Sequence, residues 1–155
     1  MNKKTNIKLN LSSLERKKLR SHKIKISEIS DLTPDALEID LGFTPERAKM
    51  IHAFAEFQKI PSVGIRTAED LIFLGYYSLA EIEGKDGVQL TEEFERKKGY
   101  WIDPCVEDVF RLVSHVANTN EYDKNWWDFT EERKRYRLAN GYPKDRPKKA
   151  WYEVL

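Results

Sequence analysis

The run Ile60-Pro61-Ser62-Val63-Gly64-Ile65-Arg66-Thr67-Ala68-Glu69-Asp70-Leu71-Ile72-Phe73-Leu74-Gly75 decides how the chain is read. Pro61 fixes φ, and Gly64 is expected to supply the positive φ of a tight turn. Ile65, Ala68, Leu71 and Ile72 then recur at helical spacing, so a helix begins directly after the turn. Gly75 stands where a helix of that length stops. A turn running into a helix start aims unpaired N–H groups outward, with the positive end of the macrodipole behind them. That arrangement suits a phosphate.

The spacing resembles the helix-hairpin-helix motif, whose hairpin reads apolar-Pro-Gly-apolar-Gly, then three residues and an alanine. Pro61, Val63, Gly64 and Ala68 match; Ser62 replaces the first glycine, and its Cβ would crowd an approaching strand. A short corner that merely packs two helices would leave the same local signal. Leu41-Gly42-Phe43-Thr44-Pro45-Glu46-Arg47-Ala48 aligns with Pro61 to Ala68; it keeps the first glycine and lacks the second. The expected fold is therefore all-α. It is a compact helical domain around tandem, degenerate helix-hairpin-helix motifs of the five-helix, SAM-like type.

The flanking chain is read in the same way. Thr44-Pro45 opens a helix to about Gln58, with Ala48, Ile51 and Ala55 on one stripe and Met50, Phe54 and Phe57 beside it, so it is buried on two sides. Ile26, Ile29 and Leu32 suggest a short helix, and Thr33-Pro34 starts another through Ile39. Ser78 to Gly84 is a further short helix. Leu90 to Lys98 follows, with Glu92, Glu93 and Glu95 outward. Asp103-Pro104 starts the cleanest helix, with Val106, Val109, Phe110, Val113, Val116 and Ala117 on one face. Cys105 lies in its first turn, where the dipole could lower the thiol pKa, but no partner is placed beside it.

Charge is segregated. Residues 1–25 hold nine Lys/Arg against Glu15 alone; residues 26–123 hold nine against twenty Asp/Glu; residues 124–155 hold nine against five. Three parts are expected: a basic arm over 1–24, the helical domain over 25–123, and an aromatic, basic tail over 124–155. The arm reads as loose by itself, either grazing phosphates or simply solvated. The tail begins Trp126-Trp127-Asp128-Phe129, and Thr130 is expected to cap the helix that follows. Aromatics among Lys and Arg serve single-strand stacking or clamp a tail to its own core. Clamping is expected for Trp126 and Trp127, while Trp151 and Tyr152 stay open between the two.

Several classes fall away. The single cysteine allows no internal disulfide, and His22, His52 and His115 show no ligand spacing. No apolar run spans a bilayer and none follows Met1-Asn2-Lys3-Lys4, so a cytoplasmic protein is expected. Glu107-Asp108 and Glu92-Glu93 are adjacent in sequence and do not share a helix face. No catalytic set, metal site or cofactor is expected.

The blocks Tyr76 to Asp86, Gly99-Tyr100-Trp101-Ile102-Asp103-Pro104-Cys105-Val106-Glu107-Asp108 and Trp126-Trp127-Asp128-Phe129 extend the resemblance. With Ile60–Gly75 they are similar to the bacterial "pathogenicity locus" family of small helix-hairpin-helix proteins, some labelled mitomycin-resistance protein. The resemblance implies an all-helical protein with a DNA-related role and no established reaction.

The function expected is non-enzymatic, sequence-independent binding of duplex or branched DNA. Backbone amides of Val63, Gly64 and Ile65 would hold a phosphate, with Lys59, Ser62, Arg66 and Thr67 around them. Gly42, Phe43 and Thr44 would form a weaker, pseudo-symmetric grip. The alternative is a helical scaffold whose acidic body meets a protein partner and does not bind DNA.

Overall fold

Thr33-Pro34, Thr44-Pro45 and Asp103-Pro104 each start a helix in the computed structural model, which describes residues 6–154. In each case the residue before proline caps the first turn. Thr33 Oγ1 accepts from the Ala36 N–H at 3.1 Å, Thr44 Oγ1 from Arg47 at 3.2 Å, and Asp103 Oδ1 from Cys105 at 2.9 Å. Proline at the first helical position lacks only an N–H that would have had no partner.

The helices are α1 (Ser13–Ser21), α2 (Pro34–Leu41), α3 (Pro45–Phe57), α4 (Ile65–Phe73), α5 (Leu79–Ile82), α6 (Gly87–Lys98), α7 (Pro104–Thr119) and α8 (Thr130–Asn140). One-and-two-turn 3₁₀ segments cover Ile26–Asp31, Trp126–Phe129 and Trp151–Glu153. The fold is all-α: the β pairing among the described residues is an isolated bridge between Trp101 and Ala150. Two compact units form, Met1–Ser78 and Leu79–Leu155.

In the first unit α3 is the central helix. Ala48, Ile51, Ala53, Phe54, Ala55 and Phe57 are all buried, and each large side chain among them stabilises by roughly 1.5–3 kcal/mol. The short helix expected from Ile26, Ile29 and Leu32 is the 3₁₀ segment Ile26–Asp31, and it packs on α3 along with α2 and α4.

The arm is docked where a loose one was expected. Residues 1–5 of it, with Lys3 and Lys4, lie outside the described residues. Ile7, Leu9 and Leu11 alternate into the core, and the Gln58 amide pins the backbone between them. Lys8 N–H donates to Gln58 Oε1 at 3.0 Å, and Gln58 Nε2 donates to the Lys8 carbonyl at 2.6 Å. A buried amide side chain here does what a neighbouring strand would do for an extended segment. A single sequence gives no sign of that pairing.

Arg47 makes the second tie. It donates to both Glu15 carboxylate oxygens, at 2.8 and 2.9 Å, and to the Asn10 carbonyl at 2.9 Å. The Arg47 guanidinium holds the Glu15 carboxyl down at about 2, against 4.5 for a free glutamate. A depressed folded-state value contributes stability that is fully present above pH 4.5. That contribution fades as pH falls from 4.5 toward 2. Because the pair is partly solvated, its expected worth is on the order of 1 kcal/mol. Unfolding of wild type and Glu15→Gln, followed from pH 6 to pH 2, should show the difference between them closing over about two pH units. Parallel curves across that range would exclude the pair as the cause.

In the second unit α7 is central and packs on α6, with Phe94 and Phe110 edge to face at 5.5 Å. Its buried face is not purely apolar as expected. Val106 and Val109 are only half-buried, while Glu107 and Asp108 are buried. Glu95 of α6, expected outward, is also buried. The tail explains both departures, because it returns arginines to these carboxylates.

Arg137 Nε lies 3.1 Å from Glu107 Oε1, and Arg111 Nη2 donates to Glu107 Oε2 at 3.1 Å. Arg133 meets Asp108 at 2.6 Å, and Arg146 binds both oxygens of Glu95 at 2.8 and 2.9 Å. Tyr142 sits between two of these guanidiniums, 4.2 Å from Arg137 Cζ and 3.6 Å from Arg146 Cζ. Thr130 does not cap α8. Its hydroxyl donates to Asp108 Oδ2 at 2.8 Å instead. The apolar peg of the segment is Phe129, with Trp126 half-buried and Trp127 54% exposed, so the expected clamp by both tryptophans moves two residues on. Trp101 pairs in both directions with the strand-like end of the tail, its N–H to the Lys149 carbonyl and its carbonyl from the Trp151 N–H. That pairing leaves Trp151 half-buried and Tyr152 exposed.

Candidate nucleic-acid interface

Both aligned corners lie in the first unit, α2 to α3 and α3 to α4, twenty residues apart. Their backbones repeat. Gly42 has φ 69° and Ser62 has φ 60°, both left-handed. The next residue is buried in each, Phe43 and Val63, and the one after that is an extended helix cap, Thr44 and Gly64. Ala48 and Ala68 are then buried in the first turn of each helix.

The repeat corrects one expectation. The positive φ of the second corner belongs to Ser62, and Gly64 is extended at φ −106°, ψ −173°. The chain reverses at Ser62 so that Val63 can enter the core. A left-handed serine costs roughly 1 kcal/mol, offset in part by its hydroxyl donating to the Pro61 carbonyl at 2.6 Å. Gly64 is not needed for its φ, and a Cβ built there would meet nothing within 4 Å.

The amides of the two corners differ. The Val63 N–H is already donated to the Ile60 carbonyl at 3.2 Å, so it is not available to a ligand. Gly64 caps α4 without a side-chain acceptor. Among the described residues, the N–H groups of Gly64, Ile65, Arg66 and Thr67 meet no protein acceptor. Gly64 and Arg66 are exposed, Ile65 and Thr67 half-buried, and Lys59 is exposed beside them. At the first corner Pro45 has no N–H and Thr44 Oγ1 takes that of Arg47, so fewer donors face outward.

One cation at the first corner was not visible in the alignment. Lys18, from α1, lies 5.6 Å from the Phe43 ring centroid, with its Nζ 3.9 Å from where a Cβ on Gly42 would stand. Sequence spacing cannot bring position 18 to position 42; only the docking of α1 does.

A model of the family described as pathogenicity locus matches residues 50–135, more than half of the chain. The chain belongs to the pathogenicity locus family. Within this pathogenicity locus protein, the matched span contains the second corner and the Glu107-Asp108 pair, while the first corner precedes it. The chain is similar to the mitomycin resistance protein McrB of Streptomyces lavendulae, at 27% identity over 89 residues, which are 57% of this chain and 83% of the relative. No solved structure matches. None of the helices in the described residues is long and apolar enough to cross a membrane.

Other chemistry-bearing groups are accounted for locally. Partial desolvation, followed by the Asp103 carboxylate, pushes the Cys105 thiol above its usual range, in keeping with an inert small residue and not with a dipole-activated thiol. His115, Glu121 and Asp123 are the metal-compatible grouping among the described residues, with ligand atoms within 4.8 Å of one another. Two of the three are exposed, and His115 Nε2 lies 3.4 Å from Glu121 Oε2 at the end of α7 without a hydrogen bond among the described residues.

Proposed function

We propose that this pathogenicity locus protein binds DNA without reading its sequence, in a role in DNA repair or DNA metabolism. The two corners act as a tandem helix-hairpin-helix. The observation that carries this reading is the second corner: unpaired amides from Gly64 to Thr67 at the start of α4, with open space beside Gly64, flanked by exposed Lys59 and Arg66. Such donors hold a phosphate oxygen and are indifferent to the base attached. The Phe43 and Thr44 amides, with Lys18, hold a second phosphate more weakly, since the Gly42 N–H is already donated to the Glu38 carbonyl at 3.0 Å. The role is binding, with no reaction assigned.

The acidic middle of the sequence is less of an obstacle than its charge count suggests. The first unit holds thirteen Lys/Arg against ten Asp/Glu. Glu95, Glu107 and Asp108 are buried against arginines in the second unit, and so present little charge to a ligand.

Fluorescence anisotropy with labelled duplex and branched DNA tests the proposal. Wild type is expected to bind at about 50 mM salt and to weaken steeply as salt rises. A Cβ at Gly64 meets no neighbour, so Gly64→Val should cost no more than the roughly 1 kcal/mol of a poorer helix cap while weakening binding roughly tenfold or more by blocking the amides. Arg66→Ala should lower the salt slope by about one. Equal affinities for wild type and both variants would remove the corner from the interface.

A second reading, a protein-binding scaffold, is favoured by Ile39, which stands 79% exposed on α2 beside exposed Asp35 and Asp40. A basic partner held there through Ile39 would stay bound at high salt, unlike DNA.

A further inference from the structure

The less exposed arginines of the second unit, Arg111, Arg133, Arg137 and Arg146, each meet a carboxylate, while the exposed Arg96 and Arg135 meet none among the described residues. Helix α1 is the opposite case. Arg16, Lys17, Lys18 and Arg20, with Lys23 just beyond the helix, make no ion pair among the described residues, and all but Lys18 are exposed. Glu15, the one carboxylate in residues 1–25, faces inward and is fully engaged by Arg47 and by the Ser12 N–H at 2.8 Å.

This basic face is held rigidly. Leu19 is 3% exposed, Ser12 and Glu15 close a reciprocal cap, and Arg47 ties the helix and Asn10 to α3. A flexible basic tail spreads its charge through solvent, whereas these side chains project from a fixed helix. Arg16 and Arg20 are one turn apart, a spacing at which like charges repel. The face therefore carries a standing destabilisation that only an external anion relieves. Its inner edge, Lys18, reaches Gly42 at the first corner, so the helix brings one of its cations to that corner, with exposed Leu14 standing between Lys18 and Lys17.

We infer that the outward face of α1 is a phosphate-backbone track, and that nucleic acid held at the corners continues along Arg16, Lys17 and Arg20. The inference rests on the DNA-binding reading above and names which further residues bind and what they touch. Phosphate oxygens are the chemistry that suits them: two guanidiniums and an ammonium on a rigid support, with no apolar residue buried between them. The track accounts for affinity and salt dependence and contributes nothing to sequence preference.

The test uses the full chain. Arg16→Ser, Lys17→Ser and Arg20→Ser are combined, and anisotropy with a labelled 20-base-pair duplex, about two helical turns, is followed against salt. The log–log salt slope is expected to fall by about two to three, and affinity at low salt by on the order of tenfold or more. The stability should fall by no more than the roughly 1 kcal/mol that serine's lower helix propensity accounts for over three positions. An unchanged slope, with Gly64→Val still weakening binding, overturns the track alone and leaves the corner in place. Absence of any binding by wild type overturns both. Competition by poly-glutamate equal to that by duplex of the same charge assigns the face to acidic proteins and overturns the nucleic-acid assignment.

Discussion

Glu107→Ala is expected to lower the stability of the second unit by about 3–5 kcal/mol in urea unfolding at neutral pH. Glu107 is 2% exposed and is the shared acceptor of two arginines. Removing it leaves Arg111 and Arg137, with side chains only 9% and 7% exposed, facing each other across the space it filled. Arg137 would keep the Gly141 carbonyl at 3.0 Å and a distant Glu92, which cannot balance a buried cation. Replacing both Glu107 and Arg137 by leucine removes opposite charges together and should recover part of the loss. A loss below about 1 kcal/mol for Glu107→Ala would mean that water reaches these guanidiniums and that the network is peripheral.

Gly87→Ala is the second large effect. Gly87 begins α6 where it crosses α7, and a Cβ there would lie 2.6 Å from Arg111 Cα and 2.8 Å from Arg111 N. Those are backbone atoms of a packed helix, so no side-chain rotation relieves the contact. α6 must move off α7, disturbing the Phe94–Phe110 contact. The expected cost is about 2–3 kcal/mol, larger than the helix-propensity gain of alanine over glycine. Gly64→Ala is the matched comparison: its Cβ meets nothing and its φ is ordinary, so its stability should fall by no more than the roughly 1 kcal/mol that a poorer helix cap costs. Equal melting curves for the two alanine variants would show that the α6–α7 crossing has slack.

Helix starts and stops were readable because their causes are local. Proline at the first position, a threonine or aspartate before it, and glycine or asparagine in the left-handed position after the last turn act through atoms a few residues apart. Gly42, Gly99 and Asn120 end α2, α6 and α7 in that way. The repeat of the two corners was readable for the same reason, since each is eight residues of turn chemistry. Within the corner the assignment of the left-handed residue was not. Glycine is the usual occupant, and a serine takes that conformation here because Val63 must reach the core.

By itself the sequence determined the all-α class, the helix order, the two corners and membership of the pathogenicity locus family. The first three follow from short-range periodicity and capping; the family rests on the sequence match over residues 50–135. Tertiary structure decided where the charge goes. Lys18 reaches Gly42, Gln58 pins Lys8, Arg47 occupies Glu15, and Arg133, Arg137 and Arg146 neutralise acids 25 to 51 residues away. Ion pairs and buried amides depend on distance in space, and no spacing along a single chain encodes which carboxylate is left facing water.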